Sequence, residues 1–172
     1  MPTVAQLWTA PDAGEPMERR ERVEAVADGG LRGDRYFLGT GHYAPYDVCQ
    51  VTLVSRESLE HVREAFDIDL FDGRHRRNVV VEGVDVVDLL KTRFRIGDAV
   101  FEGTRRRPPC AHVEDVADEE GVARALREER GGICADVIES GSVGVGDEFA
   151  IVEQLDDPDA LADAIRDRVG ER

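Results

Sequence analysis

Cys110 stands two prolines beyond a run of three arginines, in Arg105-Arg106-Arg107-Pro108-Pro109-Cys110, with His112 two residues further on. A nearby guanidinium favours the thiolate, which is both the nucleophilic and the metal-ligating form of cysteine. The Pro-Pro pair fixes backbone torsions just ahead of the sulfur and would hold it in one orientation. The competing reading is a small apolar filler beside a surface loop, a role that suits Cys49 and Cys134 as well. A second arginine group, Arg74, Arg76 and Arg77, runs into Asn78 and the apolar Val79-Val80-Val81. Six arginines thus bracket one short β unit. Like charges gathered this closely need carboxylates or a bound anion to compensate them. The cluster is therefore either an internal salt-bridge network or a pocket for a phosphate- or sulfate-like group, which guanidinium recognises bidentately.

Other chemistries fit less well. A zinc site from Cys110, His112, Cys134 and His42 lacks any CxxC or HxxxH spacing. No Gly-x-Ser-x-Gly accompanies Ser140 and Ser142, which lie among glycines. Gly33-Asp34-Arg35 is not followed by the Lys-Ser/Thr of a phosphate loop.

The elements that must position these residues are mostly short strands. Strands are expected over Thr3 to Thr9, Arg22 to Ala27, Gln50 to Val54, Arg77 to Glu82, Ala99 to Gly103, Ile133 to Ile138 and Glu148 to Val152. Pro11 to Arg22 reads as a loop or hairpin tip, and Gly141 to Asp147 as a tight turn. Gly29 to Asp47 is glycine-rich and carries Arg32, Asp34, Arg35 and His42; it is either a mobile surface loop or backbone passing close to a ligand. Ser55 is placed to cap a helix over Arg56 to Phe66, with Glu57 in its first turn and Leu59, Val62 and Phe66 on one face. Val84 to Leu90 reads as a short helical turn or irregular bridge. A second helix is expected over Asp115 to Arg130, stopped by Gly131-Gly132, and a third after Pro158. This pattern lacks the β-helix-β alternation of a doubly wound sheet. A single β-rich domain over 1–172 is expected: a barrel with two or three peripheral helices, its core at about 3–152 and a C-terminal helix over 156–172.

Five stretches fall in an order that carries a resemblance: GLRGDRYF, QVTLVSRESLE, RRNVVVEGVDVVDLL, FRIGDAVFEGTRRRPPC and GGICADVIESGSVGVGDEF. Together they resemble the MOSC domain, the module at the C-terminus of molybdenum cofactor sulfurases and in stand-alone proteins. The resemblance spans about Thr3 to Val152. It implies a MOSC-type β-barrel that binds the molybdenum cofactor (molybdopterin), with one reactive cysteine that carries sulfur or ligates molybdenum. That cysteine falls on Cys110, as catalytic residue and metal ligand. Arg35, Arg77 and Asn78 fall on the polar motif positions and become candidates for the cofactor pocket. The cofactor ends in a phosphate, which joins Arg105 and Arg107 to that set through the anion-pocket reading. The implied activity is sulfur transfer, or reduction of N-hydroxylated compounds with Cys110 on the metal. The alternatives are a non-catalytic sulfur or cofactor carrier, and an interaction module that has lost its ligand. Many stand-alone members carry a second cysteine three residues before the first, where this chain has Arg107. Related proteins often carry a basic residue where it has Asp136. No aminotransferase-like, desulfurase-like or ferredoxin-like part is visible in the chain. Any pyridoxal-phosphate chemistry, sulfur donation or electron supply for a small-molecule substrate therefore falls to a separate donor protein.

Composition bounds the setting. The 172 residues are 41% hydrophobic and 34% charged, with net charge −15. Of 22 basic residues only Lys91 is a lysine, leaving 21 arginines against 37 acids. So acidic a surface argues against nucleic acid as the main partner. No apolar run is long enough for a membrane span, and no secretory signal is visible at the N-terminus. Three scattered cysteines do not make a disulfide framework, so reduced thiols and a cytoplasmic location are expected. Mutual repulsion of the carboxylates disfavours the folded state in low salt and is screened as salt rises. The expectation is a halophilic, salt-adapted protein whose thermal unfolding midpoint climbs as KCl is raised above physiological levels. A midpoint that stays flat or falls over that range would contradict it.

Overall fold

The computed structural model describes residues 2–12, 15–38, 49–73, 75–107 and 131–154. Cys110, His112, His42, Arg74 and the helices expected over Asp115 to Arg130 and 156–172 lie outside the described residues. The strands are β1 (Thr3–Thr9), β2 (Glu18–Arg20), β3 (Arg22–Val26), β4 (Gly30–Leu31), β5 (Val51–Ser55), β6 (Val79–Glu82), β7 (Thr92–Ile96), β8 (Ala99–Arg106), β9 (Ile133–Glu139), β10 (Gly141–Gly144) and β11 (Phe149–Gln154). Two helices are described, the four-residue α1 (Arg35–Leu38) and the longer α2 (Arg56–Phe66). Val86–Leu89 forms a 3₁₀ turn capped by Asp85.

Eight strands form one sheet in the order β11-β7-β8-β9-β5-β6-β1-β2, and β10-β3-β4 form a second. The large sheet curls into a half-open barrel. At one end its margins meet: Thr3 pairs antiparallel with Glu148, and the Val4 amide donates to the Asp147 carbonyl at 3.0 Å. β5 and β6 pair in parallel, which needs a crossover, and α2 supplies it. The Ser55 hydroxyl accepts from the Ser58 amide to start this helix. Asp67 ends it in the left-handed region, its amide bonded back to the Arg63 carbonyl.

This arrangement explains why Val79-Val80-Val81 is an unbroken apolar run. Side chains alternate across a strand, so Val79 and Val81 enter the barrel core with Leu7, Leu53, Phe94 and Phe101. Val80 faces the other way, into a second cluster with Leu59 and Val62 of α2 and with Trp8. Both faces of β6 are covered, as continuous apolar strands require. Inside the barrel Phe94 stacks on Phe101 and Phe149 at centroid separations of 5.8 and 6.0 Å.

Two expectations need correction. Gly141 to Asp147 is not simply a tight turn: its first four residues are β10, paired antiparallel with β3. Glycine disguises this strand, and it is required there because a Cβ at Gly141 would strike the main chain of Asp98. Likewise, Cys49 and Cys134 are not reduced thiols but a disulfide. Cys49, two residues before β5, and Cys134 of β9 have their Cα atoms 5.5 Å apart, inside the range a disulfide spans. This also removes Cys134 from the zinc set considered above. Opening the bond, by reduction or by Cys49→Ala with Cys134→Ala, is expected to cost about 3–5 kcal/mol, given a cross-link spanning 85 residues. Urea unfolding with and without dithiothreitol measures this, and coincident curves would count against a closed bond in solution.

Candidate functional site

Two of the sequence motifs meet at a buried polar knot. Gly33-Asp34-Arg35 approaches from the end of β4, and His75 to Asn78 leads into β6. Asp34 is fully buried, and one of its carboxylate oxygens accepts three hydrogen bonds at 3.1 Å. The donors are the Ala10 amide, the Arg35 guanidinium and the Asn78 side-chain amide. A buried carboxylate is tolerable only when satisfied in this way. Arg35 pairs with Asp34 and donates its other terminal nitrogen to the Arg76 carbonyl at 2.8 Å.

Asn78 uses both ends of its side chain. Its Oδ1 accepts from the amide and hydroxyl of Thr52, each at 3.0 Å. Its Nδ2 donates to the Trp8 carbonyl and to Asp34, each at 3.1 Å. Three strands, β1, β5 and β6, are thereby tied to the Gly-Asp-Arg turn.

The two arginines beside Asn78 hold main-chain carbonyls of different segments. Arg76, itself in the left-handed region at φ 65°, donates to the carbonyls of Glu15 and Asp12 and so holds the connection between β1 and β2. Arg77 donates through Nε to the Gly131 carbonyl at 2.6 Å and through Nη2 to the Arg107 carbonyl at 3.3 Å. Arg105 and Arg106 are exposed at the end of β8, and Arg107 is half-buried. Of these three, Arg107 joins the knot, and it does so through its carbonyl. Asp136 lies on β9, half-buried, with Glu102 and Asp28 as its acidic neighbours; burial first and those carboxylates second push its pKa upward.

His75 and Asp34 are members of the knot that sequence reasoning did not single out. Asp34 could have been found from its place beside Arg35, since one carboxylate next to one arginine is the minimal buried pair. Nothing local marks His75. It is fully buried, edge-on to Trp8 at 6.4 Å, and its Nδ1 accepts from the Arg77 amide at 2.8 Å. That bond places the neutral ring's proton on Nε2. Among the described residues Nε2 meets no hydrogen-bond partner. Burial holds the pKa down to about 3, aided by the charges of Arg77, Arg35 and Arg76.

The unfolded chain protonates His75 near 6.5, whereas the folded protein resists until about 3. The native state is therefore fully favoured above 6.5 and loses ground as pH falls. Between pH 6.5 and 5 this one group removes about 2 kcal/mol of stability. His75→Gln, which keeps an acceptor for the Arg77 amide, is expected to flatten that slope in urea titrations across the interval. An unchanged slope would contradict the assignment.

Among the described residues no group of three or more His, Cys, Asp or Glu side chains is arranged to hold a metal ion. None of the helices there is long and apolar enough to cross a membrane. No curated protein matches the chain. Among solved structures, YuaD protein from Bacillus subtilis is similar with a TM-score of 0.71 and 21% identity, over 87% of this chain and 94% of that one. YiiM from Escherichia coli is similar with a TM-score of 0.68 and 19% identity, over 91% and 72%. YiiM from Geobacillus stearothermophilus gives 0.68 and 12%, over 89% and 76%. At these identities the likeness speaks for the fold. The profile of the MOSC domain matches residues 40–150, well over half of the sequence, and the chain belongs to the MOSC domain family.

Proposed function

We propose that this chain is a molybdenum-cofactor-binding protein that works through the thiolate of Cys110. The observation that carries the reading is the cationic knot at the two ends of the segment bearing Cys110, in a chain of the MOSC family. Arg35, Arg76 and Arg77 surround a buried imidazole whose Nε2–H meets no acceptor among the described residues. Positive charge around a spare donor fits a phosphate-bearing ligand in both charge and hydrogen-bond sense. Arg35, Arg77 and Asn78, with Arg105 and Arg107 at the rim, would hold such a group. Bound there, the cofactor supplies a redox-active molybdenum centre.

Cys110 has two uses open to it. As a nucleophile its thiolate attacks the terminal sulfur of a donor protein's persulfide, the donor leaves as a thiolate, and the sulfane sulfur stays on Cys110. As a ligand its sulfur would hold molybdenum, and the metal would supply reduction of an N-hydroxylated small molecule with electrons from a partner protein. The Cys49–Cys134 disulfide supports single-thiol chemistry in either case, because two of the three cysteines in the sequence pair with each other.

Protein purified from its own host is expected to contain molybdenum and to yield a fluorescent pterin on oxidation. Cys110→Ala should lower turnover by at least about 10³-fold, the scale on which removal of a reacting group acts. Bound molybdenum and turnover both unchanged in Cys110→Ala would refute the role of that residue. Binding with no turnover in the wild type would instead identify a sulfur or cofactor carrier.

A further inference from the structure

We infer that the Cys49–Cys134 bridge is a redox switch on the buried knot: closed, it holds Asp34 against Asn78; opened by a dithiol, it lets that contact slacken. What the switch controls, the affinity of the knot for an anion, rests on the reading of the knot as a ligand site. In the eight-stranded sheet β5 and β9 form the seam between β11-β7-β8-β9 and β5-β6-β1-β2. Their register runs from Val51 opposite Ala135 to Leu53 opposite Ile133. Continued back to residue 49, that register would set Cys49 against Val137. The chain does something else: Gln50 Oε1 accepts from the Val137 amide at 2.9 Å, and Cys49 crosses to Cys134. The bridge therefore pins the lead into β5 onto β9 at a point the ladder does not reach.

Both cysteines reach the knot by short routes. Cys134 stands opposite Thr52, whose amide and hydroxyl donate to Asn78 Oδ1. From Cys49 the route runs through Gln50 to β4, where a Cβ on Gly30 would come within 2.7 Å of the Gln50 carbonyl oxygen. β4 leads directly to Asp34, whose amide donates to the Leu31 carbonyl at 3.0 Å. The two routes end on Asp34 and Asn78, the partners of one buried hydrogen bond.

Opening the bridge is felt along both. Cys134 is fully buried and Cys49 is 5% exposed. Non-bonded sulfurs stand further apart than bonded ones, and a close-packed interior has no spare room for them. The lead into β5 is the part that gives way, since strand ends fray first. The exchange is a two-electron transfer. One thiolate of the dithiol attacks the Cys49 sulfur and expels Cys134 as a thiolate. The second, as a thiolate, attacks the dithiol's own sulfur in the mixed disulfide and expels Cys49. The dithiol leaves as a disulfide, and its two protons end on the cysteines.

The test follows native amide hydrogen exchange in the full chain with the bridge closed, after dithiothreitol, and in Cys49→Ala with Cys134→Ala. Loss of a cross-link from the unfolded state speeds exchange through global unfolding by one common factor. Slackening at the seam adds to that factor only near the knot. On opening, the Ala10, Thr52 and Asn78 amides should accelerate at least about tenfold more than those of the β7–β8 hairpin, the equivalent of one lost hydrogen bond. The double variant should match the reduced protein, and oxidised glutathione should restore the closed rates of the wild type. Inorganic phosphate, followed by emission of Trp8, the sole tryptophan, should bind the open form at least about tenfold more weakly. Equal acceleration at the knot and the hairpin would overturn the inference, as would a bridge that dithiothreitol opens only when the chain unfolds. Equal phosphate affinity in the two forms would overturn it as well. Phosphate binding to neither form would refute the anion reading of the knot, while the exchange ratio still decides the switch.

Discussion

The fold depends most on the amide side chain of Asn78. A primary amide is the one side chain of this size with two donors and an acceptor of two lone pairs, and here all are used. Its own backbone joins in, as the Trp8 amide donates to the Asn78 carbonyl at 2.7 Å. Aspartate in its place would offer no donor to the Trp8 carbonyl and would set a second carboxylate against Asp34. Leucine would fill the volume but leave Thr52 and Asp34 with unmet groups in a dry interior, a larger penalty than any packing gain. Register between β5 and β6, the parallel pair, is therefore fixed by chemistry as well as by apolar alternation.

Around that anchor the buried arginines act first on the protein's own backbone. Among the described residues Asp34 pairs with Arg35, and Arg35, Arg76 and Arg77 each donate to peptide carbonyls. Carbonyl oxygens hold a guanidinium by directed bonds without cancelling its charge. The exposed pairs Arg20–Glu18, Arg32–Glu24 and Arg56–Glu60 are solvated and add little each.

What could be read from the sequence was what is locally encoded. α2 announced itself through a capping serine, an acid in the first turn and apolar spacing, and it spans Arg56–Phe66 as expected. β1 likewise occupies the expected Thr3–Thr9. Motif order gave the family because order survives divergence that erases individual residues. Distance-dependent facts stayed hidden. The Cys49–Cys134 bridge joins residues 85 positions apart, which only the folded sheet brings together. The pairing of Asp34 with Asn78 crosses 44 positions. β10 was read as a turn because Gly141 answers to the close approach of Asp98, not to its own torsional preference. His75 was passed over because a histidine between arginines looks solvated, and only the fold buries it.

The seam between β1 and β11 has a consequence for how the protein comes into being. Its closing contact unites Thr3 with Glu148, so nearly the whole described chain must be made before that contact can form. Contacts of such sequence separation are slow to form, because the intervening chain must be ordered before they reward it. During synthesis β1 can pair with β2 early and with β6 later, while the edge that β11 will meet stays open. A nascent chain of this protein therefore passes through a stage with a bare strand edge, and the speed of barrel closure sets how long that edge is exposed to other chains.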